Sequence, residues 1–500
     1  MSTAATSTQF LPLDRSLEDD APGYVAAVSD AAVGPSCWKC SGSGRVPQRR
    51  PNRRERKRAR RAAGGVVAAT TAAPLAAAAA DATRPCTVCS GSGRLALKKD
   101  YHAASPRPGR ITDAARRRGA SWVVRGPPAA FSAAAMQGGD AGVAALPAAL
   151  RPRVGEALCC LTGDWRVYQR DGGHRWSTDD MVTSWVAGRT LRDVLLPAAA
   201  AAASGAPLAL RYLDLGCGIG SVLMMTTWQA LTYAAEEEEC GSDGGGGACP
   251  AIATLECVGI EARAEAVDQA RRSIHFNVGD GSNASATALA ASSGGVAPSL
   301  TVLHGDFRTL EPTNNNAAKA ADGTAAPPLA PLLARRGGDG FDLITGTPPY
   351  FEVQFDARDG EAVAVTAREG SLPSCKQSAP ARCEFRGGIE SYCAAAAAML
   401  SDAAHARFVV CEGSLRRNRE RVVNAALASG LTIDSVVDVI GKEGKEPLFA
   451  VFVMRRTASI ASSSVVSADA PKHERVVIRQ RDGARTPAYQ QLLLSMGCPP

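Results

Sequence analysis

From residue 207 the chain alternates two kinds of segment, and few folds accept that alternation. "LALRYLDLG" (208–216) reads as a strand and "SVLMMTTWQALTY" (221–233) as a helix with Val222, Met225, Gln229 and Tyr233 along one side. The strand "TLECVGIE", the helix "RAEAVDQARRSIHFNV" and the strand "SLTVLHGDF" follow. Then come the strand "FDLITGT", the helix "GIESYCAAAAAML", the strand "ARFVVCEG" and the helix "LRRNRERVVNAALA". Two close strand-like runs, "LTIDSVVDVIG" and "LFAVFVMRR", end the series. Repeated strand–helix units require crossovers, so the expected fold is α/β: a mostly parallel sheet covered by helices on both faces. The close final pair predicts an antiparallel hairpin at one edge. Low-complexity inserts at 237–250, 279–295 and 311–338 fall in the connections, where a chain tolerates insertion.

Open sheets of this kind bind ligands beyond the carboxyl ends of their strands, so those ends are where chemistry is sought. "LDLGCGIGS" sets Asp214, Gly216, Gly218 and Gly220 between the first strand and its helix. Glycines there let backbone turn tightly and approach a ligand closely. A G-x-G-x-G alone is also compatible with dinucleotide folds. The next strand ends on Glu261, where a carboxylate can accept both hydroxyls of a ribose, and the third is followed by Asp306. The fourth runs into Thr347, Pro348, Pro349 and Tyr350. Two prolines cannot continue a ladder and hold the chain extended, so this strand ends in a rigid corner.

The loop D-x-G-x-G-x-G at 214–220 resembles the cofactor loop of class I S-adenosylmethionine (SAM) methyltransferases. The resemblance implies a Rossmann-like, seven-stranded, mostly parallel sheet with an antiparallel edge hairpin. It also implies that Asp306 meets the exocyclic amine of the cofactor's adenine. Thr347-Pro348-Pro349-Tyr350 is similar to the (Asn/Asp/Ser)-Pro-Pro-(Tyr/Phe/Trp) corner of enzymes that methylate planar amino groups. There the first residue and the proline carbonyl accept hydrogen bonds from the amine, and the aromatic stacks on the flat substrate. Thr347 departs from that pattern, offering Oγ1 in place of an amide carbonyl. Together with "GHRWSTDDMVTSWVA", "ARCEFRGGIESYC" and "TPAYQQLL", these motifs resemble the bacterial tRNA adenine-N6 methyltransferase family, in the methyltransferase small domain group. The resemblance covers roughly 158–456 and the last twenty residues. It places Thr178 and Asp179 near the cofactor's methionine end and implies an RNA substrate, tRNA before rRNA. His174 reads as structural. Methylation of a protein glutamine N5 or of guanine N2 stays open, as does a non-catalytic RNA-binding protein that keeps the fold.

Residues 1–150 are of another kind, rich in Ala, Arg, Pro and Gly and without periodicity. "CWKCSGSG" and "CTVCSGSG" repeat C-x-x-C-x-G-x-G, so Cys37, Cys40, Cys86 and Cys89 can complete one tetrahedral Zn²⁺ site. The repeat resembles the zinc modules of DnaJ-type chaperones, which carry four copies where this chain has two. Between the pairs lies "RRPNRRERKRARR" (49–61), whose net charge of +8 exceeds the +7 of the whole chain. A basic tract there suits RNA binding or nuclear import, and a protein contact through the zinc module is the alternative. No stretch is apolar enough for a membrane span, and Asp14, Glu18, Asp19 and Asp20 speak against a secretory or transit peptide. Nucleus or cytoplasm is therefore expected, and the remaining cysteines, Cys217, Cys257 and Cys411 among them, read as small buried hydrophobes. The expected organisation is disorder over 1–34, a zinc module with a basic loop over 35–95 and a linker over 96–150. A methyltransferase domain over 151–456, a linker over 457–470 and a C-terminal segment over 471–500 complete it.

Overall fold

A computed structural model describes residues 45–47, 83–85, 110–111, 126–132, 139–170, 175–201, 208–241, 252–279, 289, 291, 293, 295–309, 340–358, 361–365, 381–413, 416–457 and 470–500. The chain divides into two compact units, one of Ala26–Ser105 and one of Met1–Val25 with Pro106–Pro500. In the first, β1 (Arg45–Pro47) pairs antiparallel with β2 (Thr83–Pro85). The four zinc-candidate cysteines, the basic tract and His174 lie outside the described residues.

The second unit opens with β3 (Arg110–Ile111) and α1 (Gly139–Ala145). Next comes a hairpin of β4 (Glu156–Thr162) and β5 (Trp165–Arg170) that turns at Gly163, where φ is +51°. Part of the interval read as a linker is core, because Ala129, Leu146 and Leu150 are buried. Helix α2 (Thr178–Thr190) and, after a π-helical turn, α3 (Leu196–Ala201) lead into the large sheet. The alternating elements are β6 (Leu208–Leu215), α4 (Ser221–Gly241), β7 (Ile252–Glu261), α5 (Ala264–Val278), β8 (Pro298–His304) and β9 (Leu343–Gly346). A small hairpin, β10 (Gln354–Arg358) and β11 (Glu361–Val365), precedes α6 (Ile389–Met399), β12 (Arg407–Gly413) and α7 (Arg416–Ala428). The chain closes with β13 (Leu431–Ile440), β14 (Phe449–Arg456), β15 (Lys472–Val477) and α8 (Pro487–Ser495).

The expected parallel α/β sheet is present, with eight strands in place of seven, in the order β15-β13-β14-β12-β9-β6-β7-β8. The run from β12 to β8 is parallel throughout. β14 is antiparallel to β12 and to β13, as the short connection between the last two strands required. That hairpin is not the edge. Residues 472–477, read as part of a separate C-terminal segment, pair parallel with β13 and cover its free amides and carbonyls.

Strand residues alternate between two cores. Tyr212, Cys257, Val409 and Cys411 join the face covered by α2, α4 and α5, while Leu213, Val258, Phe408 and Val410 join the face covered by α6 and α7. Helix α4 corrects the one-sided reading, since 221–231 is buried continuously and that part of the helix is enclosed on all sides. It also runs on to Gly241, so the Glu-rich insert begins inside the helix. Helix α8 starts by local chemistry: Thr486 Oγ1 accepts the Tyr489 N–H at 3.2 Å, and Pro487 takes the first helical position. Among the described residues, no helix is long and apolar enough to cross a membrane.

Candidate active site

Because β6, β7, β8 and β9 are parallel neighbours, their carboxyl ends open on one edge of the sheet. A cleft enclosing about 1080 Å³, open solvent included, lies there. Its walls include Asp180, Gly216, Gly218, Ser221, Glu261, Asp306, Thr347 and Pro349. Gly216 and Gly218 take φ of +61° and +57°, a region costly for any other residue. A Cβ on Gly216 would stand 2.4 Å from the Tyr392 hydroxyl, whereas on Gly218 it would meet nothing nearer than the Arg263 guanidinium at 3.6 Å. Gly216 therefore admits a wall, and Gly218 leaves the floor open.

Of the three strand-end acids, Glu261 and Asp306 line the cleft and Asp214 does not. Asp214 is buried, and its Oδ1 accepts the Thr345 hydroxyl at 2.7 Å, which in turn takes the Tyr212 phenol at 2.7 Å. Burial pushes its carboxyl up to about 7 against the pull of Thr345 and the Leu223 N–H. Glu261 is also buried, which alone would raise it, yet it lies below the ordinary carboxylate range. The Arg263 charge, hydrogen bonds from Arg263 and the Gly218 N–H at 2.8 Å outweigh burial. Asp306 carries the same clamp: Arg308 donates its N–H at 3.0 Å and its guanidinium at 2.6–3.1 Å. Glu261 and Asp306 are each held by the arginine two residues downstream.

The start of α2 divides two aspartates between two halves of the site. Helix capping is done by Ser177, whose N–H reaches Asp180 Oδ2 at 2.8 Å. Asp180 turns into the cleft, where Ser221 Oγ donates to Oδ1 at 3.1 Å. Asp179 turns away, and its Oδ2 accepts the Tyr350 hydroxyl at 3.1 Å. Thr178 is engaged by Tyr489 of α8 and does not line the cleft.

At the proline corner, Thr347 and Pro349 face the cleft, Pro348 is buried, and Tyr350 is half-buried beside them, outside the lining. Besides Asp179, the Tyr350 hydroxyl touches Cys411 Sγ at 3.1 Å, so the aromatic is pinned between α2 and β12. Among the described cysteines read as buried hydrophobes, Cys217, Cys257, Cys383, Cys393, Cys411 and Cys498 are buried and free, whereas Cys159 and Cys160, in the β4 strand, are only half-buried. Beneath the corner, burial pushes Glu412 up to about 8. Its Oε1 accepts from Asn418 (2.9 Å) and the Gly413 N–H (2.8 Å), and Oε2 has no partner. Arg421 joins Glu384 (2.9 and 3.1 Å) to Glu390 (2.6 and 2.8 Å) close by.

Sequence reasoning missed Asp180, Ser221, Phe307, Tyr392 and Arg386 as walls. Phe307 and Tyr392 meet edge to face at 4.6 Å, closing one side. The Arg/Gly-Gly/Tyr segment that opens α6 was a local signal for Arg386 and Tyr392, and the other three lie inside quoted motifs without being singled out. Among the described residues no group of three or more His, Cys, Asp or Glu could hold a metal ion.

The sequence matches no family model and no curated protein. Among solved structures it is similar to a predicted O-methyltransferase from Agrobacterium tumefaciens, at 13% identity and a TM-score of 0.31, covering 64% of this chain and 98% of that one. It is also similar to a putative class I SAM-dependent methyltransferase from Listeria monocytogenes, at 8% identity and a TM-score of 0.30, covering 65% and 73%. A putative RNA methyltransferase from Pyrococcus horikoshii matches at 12% identity and a TM-score of 0.27, covering 56% and 82%. Likeness of that size decides neither fold nor function, which rest on the chain's own residues.

Proposed function

We propose that this chain is a SAM-dependent N-methyltransferase acting on an exocyclic amine, adenine N6 in RNA. One observation carries the reading: the glycine loop, Glu261, Asp306 and the Thr347–Pro349 corner line a single cleft. The residues fit the cofactor. Gly218 leaves room over the loop, Glu261 offers a charged acceptor at a strand end for ribose hydroxyls, and Asp306 offers one for an adenine amine. When bound, SAM supplies an electrophilic methyl group on a sulfonium.

The chain's part is to position a poor nucleophile. An amine on a purine has its lone pair delocalised into the ring. Thr347 Oγ1 and the Pro348 carbonyl are acceptors that can hold it in the geometry of attack. Its proton becomes acidic as the new bond forms, so no strong base is needed beforehand. Tyr350, pinned through its hydroxyl, offers a ring for a flipped base.

The test is to incubate the full chain with methyl-labelled SAM, total RNA and an equal mass of cell protein, then separate labelled nucleosides. Label in N6-methyladenosine is expected. Label in N2-methylguanosine or in protein glutamine would move the substrate, and label in none would overturn the enzyme reading.

We further propose that Cys37, Cys40, Cys86 and Cys89 hold one structural Zn²⁺ and that the basic tract between the pairs contacts RNA. The support is the β1–β2 pairing, in which Arg45 opposes Pro85, the residue before Cys86. Metal analysis of the full chain should return one zinc, lost when Cys86 and Cys89 become serine.

A further inference from the structure

Three carboxyl groups stand together at one end of the cleft, and among the described residues no arginine, lysine or histidine pairs with any of them. Asp180 is held by the Ser177 N–H and the Ser221 hydroxyl. Asp179, its neighbour in α2, is held by the hydroxyls of Ser177 and Tyr350 and also accepts the Asp180 N–H at 3.2 Å. Asp214, from β6, has the Thr345 hydroxyl and the Leu223 N–H as its donors. The titratable side chains facing them are Cys411 of β12, Tyr350 of the corner and, around Asp214, Tyr212, Cys217, Glu261 of β7 and Tyr392 of α6, none of which carries positive charge. The cleft's arginines are spent on other acids, Arg263 on Glu261, Arg170 on Glu265 and Arg386 on Asp306 at 3.8 Å. Of the three aspartates, only Asp180 lines the cleft.

Buried carboxylates that lack a counter-ion stay neutral by keeping a proton. We propose that Asp180 is protonated in the empty cleft and releases that proton when a ligand's compact cationic group, an ammonium or sulfonium, arrives beside it. The proton leaves Asp180 for solvent, and the carboxylate formed pairs with the incoming cation, so one positive charge replaces another and the buried site stays balanced. Burial, reinforced by the Asp179 charge and by Asp214, pushes Asp180 up to about 8, which agrees with this geometry.

This rests on the cleft being the SAM site, because SAM carries both cations at its amino-acid end. The sign follows by linkage. Binding expels a proton, so affinity rises with pH until Asp180 is ionised in the empty protein. Below that point it falls by up to about tenfold per unit of pH.

The experiment is calorimetric titration of the full chain at pH 6.5 in two buffers of different ionisation enthalpy, from which the protons released per ligand are read. The ligands are SAM, S-adenosylhomocysteine (ammonium but no sulfonium) and methylthioadenosine (neither). Release approaching one proton is expected with SAM and none with methylthioadenosine. S-adenosylhomocysteine assigns the cation: release there points to the ammonium, and its loss there to the sulfonium, either of which supports the proposal. Asp180→Asn should bind SAM without release and with an affinity that no longer rises with pH. The proposal is overturned if SAM binds with no release, if methylthioadenosine releases equally, or if Asp180→Asn still releases a proton. Should the variant not fold, the three-ligand comparison on the unaltered chain decides alone. Absence of any SAM binding would instead overturn the cofactor reading on which the proposal stands.

Discussion

Gly216 and Gly218 sit two residues apart with nearly the same φ, +61° and +57°, and alanine at each should fail for different reasons. Left-handed backbone costs an L-residue roughly 1–2 kcal/mol, and both variants bear that strain. Gly216→Ala also puts a methyl 2.4 Å from the hydroxyl of Tyr392. That side chain is buried and its ring is wedged against Phe307 at 4.6 Å, so it cannot step aside freely. Overpacking of this kind adds about 1–3 kcal/mol. Gly216→Ala should therefore lose about 2–5 kcal/mol of stability, and Gly218→Ala only the strain of about 1–2. Binding should invert the ranking relative to stability, because the Gly218 methyl points into the space assigned to the cofactor. Chemical denaturation of both variants, with SAM titration of each, checks this. Equal destabilisation would refute the Tyr392 wall, and unchanged SAM affinity in Gly218→Ala would refute occupancy of the open floor.

Tyr350→Phe keeps the ring and deletes the hydroxyl that touches Asp179 and Cys411. A hydrogen bond to a charged group is worth about 1.5–3 kcal/mol, so turnover should fall about tenfold or more with SAM affinity nearly unchanged, and Tyr350→Ala should abolish it. Full turnover in Tyr350→Phe would show that the pinned orientation is irrelevant. Glu412 lies at about 8 when folded against an ordinary value of 4.5, so the folded protein binds the extra proton between those values. Its contribution is complete below about 4.5 and is lost as pH rises through 8. Stability should decline over that window by a few kcal/mol, order of magnitude, and Glu412→Gln should flatten the decline; a wild-type stability that rises there contradicts the assignment. Arg421→Met strands the buried Glu384 carboxylate and should cost about 3–5 kcal/mol, with partial rescue by adding Glu384→Gln, as denaturant midpoints would show.

Much of the site's outline was legible because it is written locally. A strand that ends in Asp-x-Gly-x-Gly-x-Gly, one that ends in Glu261 and one that stops at two prolines all depend on residues within a few positions of each other. What escaped depends on distance along the chain. Thr345 reaches Asp214 across 131 positions and Tyr350 reaches Asp179 across 171, and no local pattern encodes either meeting. The same holds for β15, whose short run became a sheet strand only because β13 left an edge beside it.

By itself, then, the sequence determined the alternation of elements, the strand ends on which chemistry could be mounted and the glycines that keep the loop close to a ligand. Periodicity and turn chemistry act over a handful of residues, and any chain with that order must build such an edge. Only the tertiary structure decided the electrostatic state of each acid. Burial and the nearest donors leave Glu261 charged beneath Arg263 while Asp180 and Asp214 are raised. It also turned the two adjacent aspartates of α2 apart, Asp179 to the proline corner and Asp180 to the cleft. Desolvation and pairing are properties of a three-dimensional neighbourhood, and packing alone assigns that neighbourhood.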